Sequence, residues 1–104
     1  MSGRWVGLCS VAEVIDSGHA VREIEGRYIA VYHVGGSFYA IADECTHDGG
    51  SLDDAAVEGL EVICPRHGAR FCLRTGAALS PPAYTPVATY PVRTSGDRLE
   101  VDLG

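Results

Sequence analysis

Lysine is missing from this chain: all eight cationic side chains are arginines, set against fourteen Asp and Glu, for a net charge of −6 over 104 residues. A surface this poor in positive charge repels phosphate backbones and anionic headgroups, which argues against nucleic acid or a membrane surface as the partner. The arginine-only composition itself reads as base-composition bias, and no mechanism attaches to it. Long hydrophobic runs are missing too. The longest, such as Tyr28 to Val34, is interrupted by His33 and falls far short of the roughly 18 apolar residues that cross a bilayer. No basic n-region with an apolar h-region opens the chain, so a soluble, unexported, cytoplasmic protein is expected. Trp and Phe are few, one and two, but apolar residues still make up 46% and charged residues 21%, which excludes a disordered or collagen-like chain.

At about 100 to 200 residues per domain, the length leaves room for one core, so residues 1–104 are expected to form a single domain with one site. Linkers, repeats and low-complexity segments are lacking. Thirteen glycines and five prolines punctuate short stretches rich in Val, Ile, Tyr and Phe. These stretches read as strands over Trp5–Cys9, Ala20–Ile24, Arg27–Val34, Phe38–Ala42, Glu61–Cys64, Ala88–Arg93 and Arg98–Asp102. Glu25-Gly26, Gly35-Gly36-Ser37 and Ser95-Gly96-Asp97 supply the glycines of hairpin connections. The expected fold is therefore all-β, an antiparallel sandwich or barrel, with one short helix over Val11–Ser17 capped by Ser10.

The interval from Asp43 to Pro82 departs from this pattern. It is dominated by Gly, Pro, Asp, Cys and His, shows one clear strand, and is too long for an idle connection in so small a domain. This insert is expected to carry the function. Within it stand Cys45-Thr46-His47 and, after sixteen intervening residues, Cys64-Pro65-Arg66-His67. Each pair can chelate from one tight loop, offering a soft thiolate beside a borderline imidazole, a donor set suited to zinc or to an iron–sulfur cluster. Zinc fingers pair Cys with Cys and His with His, whereas one of each per loop suits a two-iron cluster with thiolates on one iron and imidazoles on the other. A tetrahedral Cys2His2 zinc site, and with it a zinc-stabilised interaction module, stays open on the residues alone. The other four candidates read as structural: Cys9 as a small buried hydrophobe, Cys72 as a non-ligand thiol beside Phe71, and His19 and His33 as a surface and a partly buried histidine.

The text Cys45-Thr46-His47-Asp48-Gly49-Gly50, Leu52, Gly59, Cys64-Pro65-Arg66-His67-Gly68, Phe71, Thr75-Gly76 and Pro81-Pro82 closely resembles the Rieske family of 2Fe-2S proteins, and the similarity runs over nearly the whole chain. The resemblance implies one 2Fe-2S cluster, with Cys45 and Cys64 on the buried iron and His47 and His67 on the outer one. It also implies that Pro81 or Pro82 lies in a third loop shielding the cluster from water. High-potential members carry an extra Cys in each cluster loop, joined as a disulfide, and here those positions hold Gly50 and Arg66. They also place Ser and Tyr hydroxyls on the sulfurs where this chain has Ala69 and Phe71. Hydrogen bonds to sulfur favour the reduced cluster, so their absence implies a potential near the low end of the Rieske range, about −150 mV.

Such a chain is similar to the ferredoxin component of bacterial aromatic-ring dioxygenases, a one-electron carrier and no enzyme. The resemblance implies two transient partners, an NAD(P)H-dependent flavin reductase and a terminal ring-hydroxylating oxygenase, met in turn by a monomer through the tip around His47 and His67. Arg66 and Arg70 beside Glu44, Asp48, Asp53 and Asp54 make that tip mixed in sign, although solvated loop charges are as good an account of any one of them. The small subunit of an NAD(P)H nitrite reductase shares the expected fold and stays open as an alternative.

Overall fold

The computed structural model describes residues 3–43, 56–65, 68–81 and 85–104, and within them the chain is built from antiparallel sheets and one helix. Strand β1 (Trp5–Ser10) pairs with β10 (Arg98–Asp102), which pairs in turn with β9 (Val92–Ser95) to give a base sheet. Strands β2 (His19–Ile24), β3 (Arg27–Val34), β4 (Ser37–Ala42) and β8 (Thr89–Tyr90) form a central sheet in that order. The insert supplies a third sheet, β5 (Ala56–Glu58), β6 (Glu61–Ile63) and β7 (Arg70–Cys72). The expected antiparallel sandwich is present, and no sheet closes into a barrel among the described residues.

The layering follows from the pattern of β3, where four consecutive residues, Ile29 to Tyr32, are all buried. Successive side chains of a strand point to opposite faces, so an unbroken buried run needs cover on both sides. Ile29 and Val31 pack with Leu8, Cys9, Val14, Leu99 and Val101 of the base layer. Ala30 and Tyr32 pack with Val62, Cys64, Phe71 and Leu73 of the insert. The central sheet is thus a platform with the base sheet and helix on one face and the insert on the other.

Helix α1 (Val11–Ser17) begins where Ser10 Oγ accepts the Glu13 N–H at 3.2 Å, and it ends at Gly18, whose φ of +90° suits the left-handed cap. Val14 faces the base core with no exposure. A register shift between Gly7 and Cys9 in β1 marks a bulge at Leu8, and the consecutive Leu8 and Cys9 are both buried.

Two expectations change. The strand expected over Ala88–Arg93 divides at Pro91: β8 pairs with β4 of the central sheet, while β9 pairs with β10 of the base sheet. Proline has no N–H to give a ladder, and its carbonyl instead accepts from Asp102 N–H at 3.0 Å, so the chain changes layers there. The insert, expected to hold a single strand, folds as three, with a further bridge between Phe71 and Ala78. Apart from the division at Pro91, the 60 described residues outside it follow the sequence pattern closely.

Candidate metal centre

The pairing Ile63↔Arg70 closes a six-residue turn between β6 and β7, and that turn opens with Cys64. Cys64 N–H donates to the Ala69 carbonyl at 2.7 Å, and Gly68 N–H donates back to the Cys64 carbonyl at 3.0 Å. Gly68 holds φ at +76°, a conformation that L side chains rarely adopt, so the sharp return depends on glycine. Cys64 is 1% exposed and shares its surroundings with Ala69 and Phe71, both at 0%. A thiol enclosed by apolar groups at the mouth of a tight turn is well placed as a soft ligand shielded from water.

The segment after β7 runs back beside this turn. Gly76 N–H bonds the Cys72 carbonyl at 2.7 Å, Cys72 N–H bonds the Ala77 carbonyl at 2.9 Å, and Leu79 N–H bonds the Arg70 carbonyl at 2.8 Å. Ser80 Oγ accepts the Arg70 N–H at 3.1 Å, and Pro81 follows, exposed. Pro81 therefore sits one residue from a contact with the strand that leaves the Cys64 turn. Gly76 anchors the segment from below: it has φ +79°, and its carbonyl accepts the Val87 N–H at 2.9 Å.

Cys45, His47 and His67 lie outside the described residues, as do Glu44, Asp48, Gly50, Asp53, Asp54, Arg66 and Pro82. Among the described residues no group of three or more His, Cys, Asp or Glu side chains gathers as a metal site. Cys9 is buried in the base core, and burial pushes its thiol pKa up. Cys72 lies half-buried on the outer face of β7, its pKa drawn down chiefly by the Thr75 side chain. His19 begins β2 rather than preceding it and stacks on Tyr32 with ring centroids 5.6 Å apart, while His33 packs against Phe38 at 4.9 Å.

One charge behaves differently from expectation. Arg70, counted among the free charges of the tip, turns to its own sheet, where Nη1 donates to Glu58 Oε1 at 3.1 Å and to Glu61 Oε1 at 3.2 Å. Alternation along β6 and β7 puts these groups on one face, a signal the sequence held but that is readable only once both short strands are known.

The antiparallel β platform carries a buried cysteine thiol in a short turn of the Cys-Pro-Arg-His-Gly type, a position from which a soft metal ligand can be presented. Comparison makes the class specific: the model of the Rieske [2Fe-2S] domain matches residues 4–91, and the chain belongs to that family. It holds one Rieske-type 2Fe-2S cluster, and the donor chemistry of Cys64 fits that group. The chain is 46% identical, over 91% of its length and 90% of the relative's, to the 3-phenylpropionate/cinnamic acid dioxygenase ferredoxin subunit of Escherichia coli K12. The ferredoxin of carbazole 1,9a-dioxygenase from Nocardioides aromaticivorans IC177 superimposes with a TM-score of 0.87 at 30% identity, over 95% of this chain and 97% of that one. A chain from the complex of reduced oxygenase and oxidized ferredoxin in carbazole 1,9a-dioxygenase gives 0.85 at 29% identity, over 94% and 92% of the two chains. These relatives are named as ferredoxins, electron-transfer components rather than catalytic ones.

Proposed function

We propose that this chain is the one-electron carrier of a ring-hydroxylating dioxygenase system, taking electrons from an NAD(P)H-dependent flavin reductase and delivering them to a terminal oxygenase. The observation that carries this reading is the 46% identity, end to end, with a dioxygenase ferredoxin subunit. When bound, the cluster supplies a one-electron couple between Fe(III)Fe(III) and Fe(III)Fe(II). The chain's part is to hold, insulate and present it. Cys45 and Cys64 are the proposed ligands of the inner iron, His47 and His67 of the outer one, and the burial of Cys64 supports its inner assignment. Ala69 and Phe71 offer no hydroxyl to a sulfur, which keeps the reduced state less favoured and the potential low. The proposed carrier is a cytoplasmic monomer that meets its partners by diffusion; no helix among the described residues is long and apolar enough to cross a membrane.

Two experiments test this. Cys45→Ser, Cys64→Ser, His47→Ala and His67→Ala should each abolish cluster binding, measured as iron and sulfide per chain, whereas Cys9→Ser and Cys72→Ser should retain it. Full cluster content in any of the first four overturns the ligand set. For the role, the purified protein should restore NADH-dependent substrate hydroxylation to a mixture of reductase and oxygenase from a phenylpropionate-type system lacking its ferredoxin. Reduction by the reductase with no transfer to the oxygenase would refute the assignment to this system.

A further inference from the structure

Strand β4 is six residues long, yet β8 pairs with only two of them, in the register Ala40↔Tyr90 and Ile41↔Thr89. Beyond Tyr90 the chain departs at Pro91 for the base sheet, so residues 37–39 of β4 face no partner strand on that side among the described residues. Two hydrogen bonds show which main-chain groups this leaves open. His33, opposite Phe38 in the β3–β4 ladder, donates its N–H away from β4, to the Gly18 carbonyl at 3.0 Å. His33 and Phe38 are therefore a non-hydrogen-bonded pair, and Phe38 turns its own N–H and C=O outward. Ala42, on the same side of the strand by alternation, agrees, since its N–H goes outward to the Ala88 carbonyl at 2.9 Å.

This open edge lies in a cleft of about 290 Å³. One wall belongs to the insert, where Tyr39 packs on the insert core beside Arg74, and the other to the base layer, where Tyr90 and Val92 pack on the base core. Arg74 makes no ion pair among the described residues, although the chain carries fourteen Asp and Glu. An open strand edge accepts an extended main chain, and a guanidinium accepts a carboxylate. We propose that this cleft binds an extended, acidic peptide segment of another protein, added to β4 where β8 stops. The peptide residue opposite Phe38 exchanges main-chain hydrogen bonds with it. Its neighbours point to the other face and bring a carboxylate to Arg74. Only three residues of edge are open, so the contact is small and readily reversed. It also leaves the Cys64 turn uncovered, because β7 leaves that turn at Arg70 and the chain reaches Arg74 only beyond the strand's far end. The proposal does not depend on the cluster ligands.

The probe is a pentapeptide capped at both ends, Val-Glu-Thr-Glu-Val, titrated into isotope-labelled holoprotein and followed by amide shifts and amide hydrogen exchange. Saturable shifts should centre on residues 37–39 and 74, and the Phe38 amide should exchange several-fold more slowly in the complex. Val-Gln-Thr-Gln-Val should bind several-fold more weakly and Val-Lys-Thr-Lys-Val more weakly still, the reverse of what a net charge of −6 alone would give. Methylating the Thr nitrogen of the probe should abolish binding with the protein untouched. R74E should invert the order of the Glu and Lys peptides and leave the visible spectrum unchanged. No saturable shift at residues 37–39, an order that follows net charge, or undiminished binding of the methylated probe each overturns the proposal. So does a Phe38 amide already protected without peptide, whether a second copy pairs with this edge or the chain's own residues cover it.

Discussion

Two glycines of the insert share a backbone conformation and differ in their surroundings, which separates two physical effects at the scale of one residue. Gly68 has φ +76°, and an added Cβ would meet nothing within 4 Å among the described residues; Gly76 has φ +79°, and an added Cβ would lie 2.1 Å from the Val87 carbonyl oxygen. Gly68→Ala should therefore cost only the left-handed penalty of about 1 to 2 kcal/mol. Gly76→Ala adds a backbone clash that must displace the 85–88 segment, and a loss of about 3 kcal/mol or more is expected. Urea denaturation of both variants checks the order, and equal losses would show that segment to be free to move. The pair at Ala69 and Phe71 bears on redox rather than stability. Both are fully buried beside Cys64, so hydroxyls introduced as Ala69→Ser plus Phe71→Tyr would be desolvated and must find acceptors there. If the acceptors are sulfurs and each bond is worth about 1 to 2 kcal/mol more in the reduced state, the potential should rise by about 90 to 180 mV in the double variant. Voltammetry measures this, and an unchanged potential with an intact visible spectrum would place the hydroxyls away from the sulfurs.

At the scale of elements, the helix offers the simplest check, since its first turn depends on one cap. Ser10→Ala removes the acceptor for Glu13 N–H and should lower stability by about 1 kcal/mol while leaving the cluster spectrum unaltered, because α1 covers the face of the central sheet opposite the insert. A thermal melt followed by circular dichroism reads the loss, and no change in midpoint would mean the cap is redundant. The same helix shows why much of the fold was legible. Ser10 and Gly18 bracket it in the sequence, and β2, β3 and β4 are stretches of six to eight residues rich in β-branched and aromatic side chains, separated by Gly turns. The strands β5 and β7 were not legible, being three residues each, Ala-Val-Glu and Arg-Phe-Cys, too short for alternation to show among Gly, Cys and His. Pro91 was visible, but its consequence, a strand passing from one sheet to another, depends on which partners lie on either side. The metal-binding spacing was readable because chelation demands residue types that packing does not. The Arg70 contact was not, because a charge pairs with whatever register places across from it.

At the scale of the whole molecule, ion pairing decides which charges a partner feels. Arg4, Arg22, Arg70 and Arg93 each face a Glu of their own chain, so most of the positive charge among the described residues is neutralised at short range. What remains at a distance is the field of a net charge of −6, and it should steer the protein toward partners with basic docking faces. The reach of that field is set by salt. At 0.01 M the screening length is about 30 Å, comparable to the molecule's own 39 × 29 × 20 Å extents, and it shrinks to below about 8 Å once ionic strength exceeds 0.15 M. A carrier that, as proposed, meets a reductase and an oxygenase in turn depends on encounter rate more than on residence time, so the effect should appear in the second-order rate. Stopped-flow reduction by the cognate reductase should slow steadily between about 0.01 and 0.3 M salt, and delivery to the oxygenase should slow with it. Because Cys64, Ala69 and Phe71 are buried, the visible spectrum and the potential should hardly move over the same range, which separates steering from any change in the protein itself. Rates independent of salt, or rising with it, would mean that the docking faces carry no basic complement and that the acidic surface plays no part in encounter.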